Sequence, residues 1–435
     1  MIRLKEMIIA FFEAGRCSRL YPLTLTKPVY MLRCGALRIY EKAAGELRGR
    51  LLFLTRSELG GVLAEKLSKE VGEVYVNELR LLSSGDDLLV VDGGWLFDES
   101  LLKLGEEVVA AKDGELVYAY VKGSTAERIA ERSSGFNEFL ERLGSELSPM
   151  RLEGARLVRD LWDLIEYNAG EIERDAERIK RGGSWRSGSD LLQVQIVGDP
   201  NRVLISRSAE IYPQVVVDSR EGPVIIEEGA RILPFSYLAG PCYVGRGSWI
   251  VGGRVSESSI GPVCRVGGEV EGSIIEGFSN KYHAGFLGHS YVGEWVNLAA
   301  MTTTSDLKND YSPVRIPIGG RLVDSGKLKL GAFIGDHTKT GIGSLFTAGS
   351  VIGIMCNLVS SGEPYPKYVP SFTWLVKGQV RDWIPLDRMI EGERGMMARR
   401  GVRLSDAEEK LLRELYAKTE AERAAFKEKL LRGAW

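Results

Sequence analysis

His283, His289 and His337 are the only histidines among 435 residues, and all stand in the C-terminal half. A neutral imidazole, with a pKa of about 6.5, can take a proton near neutral pH, so each is a candidate general base. Near the N-terminus, Ala14-Gly15-Arg16-Cys17-Ser18-Arg19 precedes Lys27-Pro28. Gly15 lets the backbone come close to a phosphate, while Arg16, Arg19 and Lys27 could neutralise one. Asp92 ends the apolar run DLLVV. A single carboxylate is a sufficient metal ligand only with a partner, and Asp163 in LWDLIEYN is the leading candidate for one.

The formal charge of −2 gives no general attraction to nucleic acid or to an anionic membrane, so phosphate binding must be local. The five cysteines are scattered, with no CxxC and no histidine at zinc spacing, which points to a reducing compartment and no structural metal. The apolar run before Glu13 is too short for a signal sequence or a membrane span. A cytoplasmic chain is expected.

The elements that must hold these residues fall into three parts. From Met7 to about Val91, short apolar runs (MIIAFF, RLLFLT, EVYV, DLLVV) alternate with helical stretches, the pattern of an α/β domain with a mostly parallel sheet. Charged helices follow, up to the Gly/Ser-rich break at 182–190, so a first domain is placed at 1–190. Beyond it Ile226, Ile232, Leu238, Val244 and Ile250 recur at intervals of six, as do Ile334, Thr340, Phe346, Ile352 and Leu358. That is the hexapeptide period of a parallel β-helix, three hexads closing one coil of about 18 residues, and it is assigned to 191–370. The repeat lapses between Asp306 and Lys329, where a loop should leave the prism, and a helical tail is expected over 371–435. Counting hexads from Ile275 puts Lys281 and Leu287 at inward positions, so His283 and His289 face outward.

The N-terminal loop resembles the AGxGTRLxPLT stretch, with a downstream KP, of sugar-1-phosphate nucleotidyltransferases, and is similar to a divergent branch whose loop reads LxPLTxTRPV. Cys17 stands where that family has its second Gly, and Asp92-Gly93 reverses its GD. The resemblance implies a Rossmann-like fold, Mg²⁺ held at Asp92, and attack of a sugar phosphate on the α-phosphorus of a nucleoside triphosphate held by Gly15, Arg16, Arg19 and Lys27.

In the second half, Lys281-Tyr282-His283-Ala284-Gly285-Phe286-Leu287-Gly288 resembles KxxHLTYLGD of the bifunctional N-acetylglucosamine-1-phosphate uridyltransferase and glucosamine-1-phosphate acetyltransferase family. Val296-Asn297-Leu298-Ala299-Ala300-Met301-Thr302 is similar to its VNIGAGT. This implies a left-handed β-helix of the acyltransferase type, with His283 as the base and Asn297 orienting the sugar. Gly261-Pro262-Val263-Cys264-Arg265 resembles GPFAR, which implies that Arg265 binds the sugar phosphate; the lysine of the family's following coil has no counterpart, leaving Lys281, Lys308 or Arg315 to compensate. The resemblance further implies Lys281, Asn309 and Tyr311 around the sugar phosphate, Ala299, Lys329, Asp336 and Ala348 around acetyl-CoA, and a homotrimer. Two other readings stay open: nucleotidyl transfer alone with a β-helix that only trimerises or regulates, and a non-catalytic scaffold.

Overall fold

The structure, a computed structural model, describes residues 7–182, 185–187, 194–382 and 384–432. The chain divides into two compact units. The first, mainly Arg38–Arg159 with the N-terminal strand, is built on a seven-stranded sheet. Strands β1 (Ile8–Phe12), β2 (Arg50–Leu54), β3 (Tyr75–Val76) and β4 (Leu88–Asp92) are parallel, in the order β3-β2-β1-β4. The sheet continues through antiparallel β6 (Glu115–Val121) to β5 (Val108–Lys112) and β7 (Met150–Arg151). Every side chain of β1 and β4 is buried, because both faces of a parallel sheet are covered. Phe11, Tyr30, Tyr40 and Phe53 pack as rings on one face and Leu52, Leu88, Ala119 and Phe139 fill the other.

The second unit is a parallel β-helix, as the sixfold spacing predicts. Along one wall Ile205, Ile226, Val244, Ile260, Ile275, Val292, Ile334, Ile352 and Val369 stand in register, coil upon coil. A second ladder runs Ile211, Ile232, Ile250, Val266 and Lys281, and resumes with Thr340, Leu358 and Leu375. These aliphatic side chains form the core of the prism. Between Asp306 and Lys329 the chain leaves the prism as expected, but as an antiparallel hairpin, Arg315–Ile318 against Arg321–Asp324, closed at its neck by a Leu307–Lys329 bridge.

Helix α5 (Leu161–Gly182) packs on this unit: Ile172 and Ala176 meet Leu204, Ile225 and Tyr243, and the Asn168 side chain accepts from the Ser259 hydroxyl at 2.8 Å. The expected boundary at 190 itself lies outside the described residues. The tail forms α6 (Leu386–Ala398), α7 (Asp406–Lys418) and α8 (Glu420–Leu431). Ser405 opens α7 with a capping box to Glu408, and Phe426 of α8 enters the β-helix core. Among the described residues no helix is long and apolar enough to cross a membrane.

Candidate functional sites

In the first unit the loop residues gather at the carboxyl ends of β1 and β4, where open α/β sheets bind ligands. A short 3-10 turn, Gly15–Leu20, follows β1 and leaves Gly15 exposed. Arg16 does not reach into solvent. Its Nη2 donates to both Asp92 carboxylate oxygens at 2.7 Å, its Nη1 lies 3.3 Å from Glu115, and the Gly94 amide donates to Asp92 Oδ1 at 2.7 Å. Burial pushes the Asp92 carboxyl up, against the pull of Arg16 and that amide. Lys27 is buried, and beside it Arg56 pairs with Glu13 at 3.2 Å. In the second unit Arg19 pairs with Asp160, Nε to Oδ1 2.8 Å, and the Asp163 carboxylate accepts from the Asp160 amide at 2.8 Å, at the start of α5.

Both Asp92 oxygens accept hydrogen bonds, from a guanidinium and an amide, and among the described residues no group of three or more His, Cys, Asp or Glu is placed to hold a metal. A magnesium ion held by Asp92 would take its other ligands from phosphate oxygens, with Arg16 turned aside. The positive charge beside Asp92 is Arg16.

In the β-helix His283 is exposed at a corner, its ring 5.2 Å edge-on from Tyr282. Asn297 stands on the next coil. The coil step pairs Asn280 with Asn297, which puts Ala300 over His283 and leaves Asn297 three residues short of that corner. Lys281, expected to bind a sugar phosphate, is corrected: it is only 2% exposed, follows Val266 in the core ladder, and its amine donates to the Gly267 and His283 carbonyls at 2.8 and 3.2 Å. Burial brings it down to about 8. Its role is to hold the backbone under His283.

Arg265 lies over the Trp249 ring at 4.1 Å and donates to the Gly247 and Cys264 carbonyls at 3.0 and 2.8 Å. Asn309 and Tyr311 are exposed on the segment leading into the hairpin, and among the described residues no hydrogen bond or ion pair joins them to Arg265. Of the residues expected around acetyl-CoA, Ala299 and Ala348 lie in the coils, the Ala299 amide donating to Thr340 Oγ1 at 3.0 Å. Lys329 is exposed and 3.3 Å from Glu271. Asp336 is turned inward, buried and accepting from the Glu294 amide at 2.7 Å, so it offers coenzyme A no open carboxylate.

The spacing did not reveal a second ordered imidazole. His289 Nδ1 meets Asp306 Oδ2 at 2.7 Å. Burial pushes Asp306 up, but that bond and the charges of His289 and Lys329 outweigh it and hold the carboxyl below its usual range. The acid was present in the SDLKNDY stretch, but its pairing is made across coils. His337 is buried with Nδ1 3.0 Å from Glu393, which also pairs with Lys339; it anchors α6.

Two outcomes follow from this geometry. Arg16→Ala strands a buried carboxylate and should lower unfolding free energy by about 3–5 kcal/mol in denaturant titrations; a loss below about 1 kcal/mol, the worth of an exposed pair, would show that Asp92 does not depend on it. For Lys281, charged in the unfolded chain below its ordinary 10.5 but neutral in the fold above about 8, stability should rise with pH across that window. The difference between wild type and Lys281→Met should move toward wild type from pH 8 to 10.5 and stay level below it.

Comparisons with known proteins agree with both halves. Residues 9–184 match the family described as sugar nucleotidyl transferase. A bifunctional sugar-1-phosphate nucleotidylyltransferase/acetyltransferase of Sulfurisphaera tokodaii is 25% identical over 398 residues, 80% of this chain and 94% of that protein. The bifunctional protein GlmU of Methanococcus maripaludis strain C7 is 27% identical over 381 residues, 78% of this chain and 90% of that one. Another Methanococcus maripaludis GlmU, of strain S2, is 41% identical over 85 residues, 20% of each chain. Across as much as 80% of its residues, the chain is similar to the bifunctional sugar-1-phosphate nucleotidyltransferase/acetyltransferases, transferases that join both activities in one polypeptide.

Proposed function

We propose that the chain makes an activated sugar in two transfers, acetylating an amino-sugar phosphate from acetyl-CoA on the β-helix and joining a sugar 1-phosphate to a nucleotide on the N-terminal domain. What carries this reading is the union of a sugar nucleotidyl transferase match over 9–184 with a β-helix that presents an exposed histidine, His283. In the acetyl step the sugar amine attacks the thioester carbonyl while His283 takes a proton from the nitrogen. The C–N bond forms, the C–S bond breaks, and the proton goes to the leaving thiolate. In the nucleotidyl step a sugar-phosphate oxygen attacks the α-phosphorus and pyrophosphate leaves. Arg16, at the carboxyl end of β1, would exchange its carboxylate partner for a phosphate oxygen and so help to position the triphosphate. Asp92 would hold magnesium together with phosphate oxygens, and the ion would supply charge neutralisation there.

A second assignment of the base is favoured by one contact, His289 to Asp306 at 2.7 Å, because a carboxylate on one ring nitrogen orients the imidazole and sets its tautomer. Mass spectrometry of products from glucosamine 1-phosphate, acetyl-CoA and the common nucleoside triphosphates tests the whole reading. His283→Ala should slow acetyl transfer by roughly 10²- to 10⁴-fold and leave pyrophosphate release unchanged. If His289→Ala produces that loss and His283→Ala does not, the base is His289.

The exposed apolar side chains Tyr282, Met301 and Ile342 around the His283 corner fit burial against a neighbouring prism, and a cytoplasmic homotrimer with clefts between prisms is the assembly proposed. Light scattering at micromolar concentration should give three times the mass of the chain; a monomer with full acetyl transfer would remove the need for a shared cleft.

A further inference from the structure

The outward side chains beside the second core ladder run Arg231, Trp249, Arg265, Asn280 and Asn297 on successive coils. The tail lies against this wall. Glu393 of α6 holds His337 and Lys339, and just past the helix Arg400 Nη2 donates to Asn280 Oδ1 at 2.8 Å. The Arg265 guanidinium, fixed on Trp249 one coil away from Asn280, is brought down to about 10 by burial and then by the charges of Arg400 and Arg231.

Arg231 is answered by Glu210 at 3.2 Å, but among the described residues no carboxylate pairs with Arg265 or Arg400. Two half-buried guanidiniums that repel each other, with no acid between them, form a place for an anion. The wall also adjoins the proposed base, because Tyr282 touches His283 edge-on and its phenol acts on Arg265.

We propose that Arg400, delivered by the C-terminal tail, joins Arg265 to bind the phosphate monoester of the acyl acceptor, in place of the lysine missing from the following coil. The inference rests on the acetyl-transfer reading above and adds that the tail belongs to the acceptor site. Asn280 holds Arg400 in place, and the anchor at Glu393 sets where α6 ends. The same phosphate chemistry could come from coenzyme A, so both sources are to be tested.

The test titrates the full chain with glucosamine 1-phosphate, unphosphorylated glucosamine and coenzyme A by calorimetry. Arg400→Gln keeps a donor toward Asn280 and removes the charge; Asn280→Ala removes the contact and keeps the charge. Arg400→Gln should weaken glucosamine 1-phosphate by about 10- to 100-fold, the range for a hydrogen bond to a charged group, and leave coenzyme A unchanged. Asn280→Ala should cost less. Unchanged glucosamine 1-phosphate binding in Arg400→Gln overturns the proposal, as does a loss confined to coenzyme A. A wild-type chain that binds and acetylates glucosamine as well as its phosphate overturns the phosphate site but leaves acetyl transfer standing. One that binds neither amine while binding coenzyme A removes the acceptor reading and this proposal with it.

Discussion

Everything in the second unit depends on one packing constraint, the stacking of like aliphatic side chains inside a narrow prism. Ile205, Ile226, Val244, Ile260 and their successors to Val369 each sit on the equivalent residue of the coil before. The coils advance by the strand spacing of about 4.8 Å, so any residue at the same phase of the repeat lands on the same wall. That is how a chain with few long elements positions Arg265, Asn280 and His283 on neighbouring coils. It is also why Lys281 is unusual. A lysine at a core phase would bury an unpaired ammonium, and here two backbone carbonyls accept its hydrogen bonds while burial draws it toward neutrality.

The fold was legible for the same reason. A sixfold spacing needs only local bookkeeping, and Ile226 to Ile250 and Ile334 to Leu358 announce it without knowledge of any distant contact. The strands of the first unit were equally visible as apolar runs, buried throughout in β1 and β4. What local patterns could not show was pairing between charges. Arg16 meets Asp92 across 76 positions and Arg400 meets Asn280 across 120, and no spacing rule links them. A motif marks residue types that bind phosphate, but it does not show which acids those residues meet in the fold. Arg16 on Asp92 and Arg19 on Asp160 are that case.

The placement of Asn297 shows a finer limit. An ideal coil of three hexads is about 18 residues, and counting in sixes carries a small error into each turn. The observed step from Asn280 to Asn297 is 17 residues, and Asn297, only 14 residues after His283, pairs with a residue earlier on the wall. One residue of phase is enough to turn a side chain from one face to the other. Resemblance to VNIGAGT located the right coil, and the register located the side chain.

The tail connects these points. A helix that only capped the prism would need apolar contacts such as Phe426 in the core and Tyr416 against Phe372 at 5.3 Å. Those contacts are present in α7 and α8. Helix α6 buries Met389, Ile390 and Met397 as well, and adds the buried Glu393 carboxylate between His337 and Lys339. Leaving such a carboxylate without its partners is costly, so the contact ties α6 to the prism. A fixed end can present Arg400 at a constant place beside Arg265, which a flexible tail of the same charge could not do. The contact at Glu393 thus bears on the geometry of the wall proposed to bind phosphate, where a guanidinium would discriminate by direction as well as by charge.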